Sequence, residues 1–220
     1  MIKIPTTIKN TKLVQKRRRQ IIEAAIKLFA RKGFHSATMR ELSRAARISH
    51  GNIYDYFGSK EDIFAMIHGY LAEENDSRFD AITRGDEGPL DKLRRMIHSE
   101  IDVLNRLSEG TLLLYQESHI LSKKYLKQVL QREREHVRRY EIILEEGIRA
   151  KIFRPVNVRV MANLIKVMTQ SWIFKRWDLK THADQREMEE EIWRLIFQGL
   201  LSTNEETRDD DAARLSPSPI

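Results

Sequence analysis

Residues 38–62 read Thr-Met-Arg-Glu-Leu-Ser-Arg-Ala-Ala-Arg-Ile-Ser-His-Gly-Asn-Ile-Tyr-Asp-Tyr-Phe-Gly-Ser-Lys-Glu-Asp, and they pack three helix starts and a tight turn into one short stretch. Thr38 followed by Glu41 is the spacing of a capping box, in which each residue satisfies a free amide of the other. Met39, Leu42 and Ala46 then share one face at helical spacing. Ser43 and Ala46 are small enough for another helix to cross closely, and Ile48 plugs the turn. Ser49 is a second N-cap. Ile53 and Phe57 lie four apart and face inward, and Gly58 ends the segment. Ser59 caps a third helix, with Glu61 and Asp62 in the first turn, where the helix dipole favours acids.

The second of these helices keeps His50, Gly51, Asn52, Tyr54 and Tyr56 for its outer face. Glycine inside a helix costs about 1 kcal/mol relative to alanine. It makes sense near a helix start if another surface must approach the backbone closely. Two short helices, a tight turn and a polar front end form a helix-turn-helix, the geometry that sets a helix tip into the major groove of duplex DNA. A merely solvated helix carrying tyrosines is the alternative, and it leaves the fit of the whole block to one geometry unaccounted for.

Charge agrees with a nucleic-acid partner. Residues 1–60 hold fourteen Lys or Arg against three Asp or Glu, a balance of +11, so with a net charge of +7 the remaining 160 residues carry −4. A basic head on an acidic body is the electrostatic footprint of a DNA binder. Basic segments also bind acidic membranes, but this charge accompanies a groove reader. No apolar run approaches the roughly 18 residues of a membrane span, and no apolar signal core follows the first lysines, so a soluble cytoplasmic protein is expected. The chain has no cysteine, which excludes disulfides, thiolate metal sites and cysteine nucleophiles.

The block resembles the DNA-binding domain of the TetR family of bacterial repressors. The residues that carry the likeness are Thr38, Met39, Arg40, Glu41, Leu42, Ser43, Ala46, Ile48, Ser49, Gly51, Asn52, Ile53, Tyr54, Tyr56, Phe57 and Lys60, with Ile21 to Ala25, Leu28-Phe29 and Lys32-Gly33-Phe34 before them. The likeness covers roughly residues 15–65. One position departs: the family usually has glycine in the turn where this chain has Arg47. A left-handed backbone there strains arginine; otherwise the turn differs, or Arg47 adds a phosphate contact.

The resemblance implies an all-α fold of about nine helices: a three-helix head over 15–60, a basic arm over 1–14 and an effector-binding and dimerisation bundle over 61–202. The polar segment 203–220 reads as a disordered tail. Helices are expected over 59–82, from Pro89 to about Leu107, over 111–121, 122–150, 157–179 and 184–201, with Glu109-Gly110 breaking the chain between the second and third. The Gln131–Arg139 run reads as a solvated, charge-laced face.

Roles follow for the head. Arg40, His50, Gly51 and Asn52 sit where base edges are reached, with Arg40 suited to guanine. Thr38, Ser49, Tyr54, Tyr56 and Lys60 are expected on phosphates. The broad apolar faces of the last two helices (Val160, Leu164, Val167, Met168, Ser171 and Trp172; Ile192, Leu195, Ile196, Gly199 and Leu200) exceed what one subunit buries, and the family pairs these helices into a homodimer that reads a palindromic operator.

In the body, Ile97, Ile101, Leu104, Leu113, Leu114, Tyr115, Met168, Trp172 and Trp177 are candidates to line an effector cavity. Each alone reads equally as core; the resemblance groups them. The segment Trp172–Trp177 is similar to a region of the family's fatty-acid-degradation repressors, which implies a hydrophobic effector such as a fatty acyl-coenzyme A, its phosphates near Lys175 and Arg176. A multidrug-sensing body is the rival, with Glu100, Glu117 and Tyr115 for cationic ligands. An architectural DNA binder without a ligand, or a protein-interaction adaptor, remains an alternative of another class. No enzyme motif appears. No cofactor or metal is expected: the seven histidines lack metal-helix spacing, and Glu117 and His119, two apart, do not share a helix face.

Overall fold

The computed structural model describes residues 4–6 and 8–201, with the backbone alone at Glu74. The expected tail over 203–220 lies outside the described residues. Eight α-helices and two 3₁₀ turns make up the regular structure there: α1 (Thr11–Lys32), α2 (Met39–Ala45), a 3₁₀ turn (Asn52–Asp55), α3 (Lys60–Arg84), α4 (Pro89–Arg106), α5 (Ser108–Glu117), a second 3₁₀ turn (Ser118–Ile120), α6 (Lys123–Arg149), α7 (Val158–Leu179) and α8 (Gln185–Leu200). Among the described residues β pairing is limited to one isolated bridge, Phe153 with Leu201.

The caps explain most boundaries. Thr38, Ser59 and Asp184 each complete a capping box with the acid three residues on, and Asn10 and Asn157 cap α1 and α7 through their side chains. Pro89 opens α4, where its missing N–H costs nothing.

Three boundaries differ from expectation. Helix α1 starts at Thr11, inside the segment read as an arm, and the chain before it packs on the head: Ile4 is buried, and Arg18 donates to the carbonyls of Ile4 and Pro5. Gly110 does not break a helix. It lies within α5, buried, where a β-carbon would stand 3.3 Å from the Leu71 side chain; a close helix crossing uses it, and the break falls at Leu107. The segment from Ser49 forms a single 3₁₀ turn rather than an α-helix over 49–57.

Two apolar clusters organise the molecule. One joins α1, α2, the first 3₁₀ turn and the first turns of α3, and it takes in Leu113, Leu121 and Tyr125 from α5, the turn after it and α6. The other fills the body between α3, α4, α6, α7 and α8 around Phe79, Leu93, Tyr140 and Ile165. The head therefore shares its core with the body, and α3 belongs to both.

Candidate nucleic-acid interface and effector cavity

The turn after α2 is set by hydrogen bonds. Arg47 N donates to Arg44 O (3.1 Å) and Ile48 N to Ser43 O (2.9 Å), the two bonds of a Schellman cap. That cap requires a left-handed residue, and Arg47 adopts it with φ 53°. The left-handed turn is kept at the cost of strain at arginine. Gln20 on α1 reinforces it by donating Nε2 to Ala46 O at 2.6 Å. Arg47 is left exposed at the tip, and Arg40 and Arg44 are exposed along α2.

Ser49 Oγ accepts from Asn52 N (3.2 Å) and so caps the 3₁₀ turn. His50 and Tyr54 meet edge to face with centroids 5.5 Å apart, and Ser49, His50, Gly51, Asn52 and Tyr54 are all exposed. Gly51 has φ −66°, and a β-carbon there would meet nothing within 4 Å. The fold itself imposes no glycine at this position.

Three of the expected phosphate contacts are placed otherwise. Tyr56 is 7% exposed and its side chain packs in the head core, while its carbonyl accepts from Arg18. Lys60 Nζ donates to the carbonyls of Phe34 (2.9 Å), His35 (3.0 Å) and Ala37 (2.7 Å). An ammonium has three protons, and all are spent on closing the loop between α1 and α2. The same group lies 4.8 Å from the Phe34 ring centroid, and burial lowers its pKa despite Glu41 nearby. Thr38 Oγ1 donates its one proton to Glu41 Oε2 at 2.9 Å. Lys32 also reaches Glu41, and these bonds hold that carboxyl down at about 2.

In the body, α3, α4, α5, α6 and α7 surround a cavity of about 360 Å³. Of the residues expected there, Leu104, Leu114 and Tyr115 line it. Ile97 and Ile101 are buried in the body core instead, and Leu113 in the core shared with the head. Met168 packs against the body core as well. Trp172 is buried with its Nε1 donating to Asn105 Oδ1, and Trp177 is 71% exposed. Lys175 lies over the Trp177 ring; neither it nor Arg176 reaches the cavity.

The cavity is more polar than expected. Glu100 is buried against His136 (3.2 Å) and accepts the Tyr140 hydroxyl. Burial alone would raise its pKa, but His136, Lys166 and that hydroxyl bring it below the usual carboxylate range. Glu133 pairs with Lys166 at 2.7 Å and Arg132 with Asp76 at 2.7 Å. Three buried polar atoms of lining residues have no hydrogen-bond partner among the described residues: His68 Nε2, Asn75 Oδ1 and Arg132 Nη1. His68 is held down to about 4 by burial, opposed by Glu133, and stays neutral near pH 7.

His68, Asn75, Arg132, Glu133 and His136 were not among the cavity candidates because α3 and α6 supply them. The Gln131–Arg139 run is only partly a solvated face: Arg134 and Glu135 are exposed, but His136 is buried and Arg132 and Arg139 bind Asp76 and Asp80 of α3. Acids four apart on α3, Asp76 and Asp80, facing arginines seven apart on α6, Arg132 and Arg139, were the signal, legible only once the two helices are known to be neighbours.

Comparison with known proteins agrees with this architecture. The family described as bacterial regulatory proteins, tetR family, matches residues 21–67, and the tetracyclin repressor-like C-terminal domain matches residues 86–200. The transcriptional regulator HbdR of Aromatoleum sp. (strain CIB) is 27% identical over 208 residues, covering 93% of this chain and 89% of that protein. The ketosteroid transcriptional regulator KstR2 of Mycobacterium tuberculosis shares the fold with a TM-score of 0.70 at 19% identity, covering 90% of this chain and 99% of that one. AibR, solved in complex with isovaleryl coenzyme A and operator DNA, does so with a TM-score of 0.70 at 20% identity, covering 82% and 98%. With family matches spanning head and body, the chain belongs to the TetR family of bacterial regulatory proteins and is a DNA-binding transcription regulator.

Proposed function

We infer that this chain is a repressor that reads a palindromic operator as a twofold dimer and lets go when a small effector fills the body cavity. The observation that carries the DNA reading is Gly51: exposed, in ordinary helical conformation and free of internal neighbours, it has no reason within the fold to be glycine. A duplex pressed against the backbone supplies one. Arg40, His50, Gly51 and Asn52 face base edges in this reading. Arg47, Ser49 and Tyr54 face phosphates, and Thr38 sets the start of α2.

The dimer reading rests on Val160, Leu164 and Val167, which form an exposed stripe on α7, with Leu195 exposed on α8. Such a stripe calls for a partner surface. A twofold pair would then set its heads roughly 34–36 Å apart, one turn of duplex.

For the effector, Leu71, Leu104, Leu114, Val129 and Leu130 offer an apolar wall, and His68, Asn75 and Arg132 offer polar atoms still to be paired. That combination and the likeness to AibR support a short-chain acyl-coenzyme A, with the acyl group and thioester inside. Both acids facing the cavity are already paired, which disfavours a cationic drug.

Selection from randomised duplexes, followed by anisotropy titrations with acyl-coenzyme A esters of increasing chain length, tests each part. Enrichment of a palindrome and release by short acyl esters are expected. A monomer in sedimentation that enriches no sequence would overturn the DNA reading. Failure of every acyl ester to raise thermal stability would overturn the effector reading alone.

A further inference from the structure

Side chains from two distant stretches of the chain meet where the head touches the body. His35 stands in the loop after α1, Glu117 ends α5, and His119 lies in the 3₁₀ turn that follows. One ligand atom of each lies within 4.8 Å of the other two. We propose that His35, Glu117 and His119 form a binding site for one divalent transition metal ion of the zinc class, which fastens the head's loop to the end of α5.

The donor set fits that chemistry. Two imidazoles and one carboxylate suit zinc and its borderline neighbours, whereas magnesium and calcium take oxygen shells. Bonds of about 2.0–2.2 Å in a tetrahedral shell set donor atoms roughly 3.4 Å apart. Closing from 4.8 Å asks for side-chain rotations, which His35 and His119 are exposed enough to make. The fourth position is left to water.

Glu117 gives a second, independent reason. It is half-buried, and its carboxylate has no ion pair or hydrogen bond among the described residues. A carboxylate partly removed from water gains from a cation beside it. His35 is well placed to share that cation: its carbonyl is held by Lys60 Nζ at 3.0 Å, and its ring meets the Phe34 ring edge-on at 5.5 Å.

The spacing of Glu117 and His119 excluded them from a common helix face, and within an α-helix that holds. The backbone leaves the α-helix at Glu117, with φ −113° and ψ 9°, and continues as a 3₁₀ turn. This change of winding turns both side chains toward His35.

The ion would link two working parts. His35 belongs to the loop that precedes α2, and α5 carries Thr111, Leu114 and Tyr115 of the cavity wall. A clamp there restrains the head relative to that wall, and linkage makes operator and metal change each other's affinity by the same factor. Metal binding stands on the geometry alone; the coupling rests on the operator reading.

The test uses the full chain without an affinity tag. Zinc is titrated calorimetrically near neutral pH, and cobalt is followed by its visible absorption. One ion per chain is expected, with zinc raising the thermal midpoint. H35A, H119A and E117Q should each weaken binding by roughly tenfold or more and lose the cobalt band, while H182A retains both. Absence of zinc binding, or an unchanged cobalt band in H35A, overturns the site; so does displacement of zinc by equimolar magnesium. Equal operator affinity with and without zinc overturns the clamp but not the site. A chain that binds zinc as described yet selects no DNA sinks the operator reading instead.

Discussion

Tyr125 of α6 donates its hydroxyl to Asp62 Oδ1, and the other oxygen of that carboxylate accepts the backbone N–H groups of Gly58 (2.9 Å) and Ser59 (3.0 Å). One side chain of α3 thus caps its own helix just after the recognition turn and anchors a body helix. Beside it, Glu61 Oε1 accepts from Ser122 N at 2.6 Å, holding the start of α6. Burial and Asp62 raise the Tyr125 pKa, so the hydroxyl keeps its proton. Removing that proton donor should uncouple cavity from head. Y125F is expected to bind operator nearly as tightly as the parent, while effector-induced release falls by about tenfold, the scale of an ordinary coupling energy. Anisotropy with and without effector measures both, and undiminished release would count against this route.

Lys60 closes the α1–α2 loop through three carbonyls. Substituting it with alanine should cost on the order of 2 kcal/mol, the scale of lost charge-assisted bonds, and lower the midpoint by about 4–8 °C. The slope of log affinity against log salt should not change. A slope shallower by about one, with stability intact, would return Lys60 to the phosphates.

Arg47 carries strain at φ 53°. Left-handed backbone costs a non-glycine residue about 1–2 kcal/mol, and glycine gives back about 0.4–1 kcal/mol through the unfolded chain. R47G should therefore be as stable or slightly more stable in calorimetry, by about 1.6 kcal/mol at most. If the exposed guanidinium meets phosphate, the same variant loses affinity for every sequence alike. A drop in stability would contradict the cap geometry.

Arg40 is exposed near the start of α2. R40A should cost about 1–3 kcal/mol in operator affinity and relax selection at one base position. Equal losses on operator and unrelated duplex would refute base reading.

His68 makes acid a probe of the cavity. Its pKa of about 4 lies below the unfolded value near 6.5. Between these values the unfolded chain binds the extra proton, so stability is full above about pH 6.5 and declines as pH falls toward 4. The loss totals on the order of 3 kcal/mol. Denaturant titrations of the parent and H68Q across that window should diverge by this amount, and parallel curves would mean that the imidazole is not neutral in the fold.

What lay within a few residues was legible in advance. The box at Thr38, the cap at Ser59, the N-terminal proline of α4 and the left-handed alternative at Arg47 are each contained in about one helical turn of chain. The same locality explains the overreach at Ser49, where the cap exists but only a 3₁₀ turn follows. Gly110 was misjudged because its reason is Leu71, across a helix crossing.

An all-α chain with a basic, capped, glycine-bearing head follows from residue order alone, because capping, periodicity and charge act through neighbours along the chain. Tertiary structure decided where the long side chains spend their hydrogen bonds. Lys60 has three carbonyls within reach only after the loop at 33–37 folds over it, and Arg132 and His68 face one cavity only because α6 lies against α3. A flexible cation or imidazole carries no local mark of its partner; the partner is whatever group folding brings within about 3 Å.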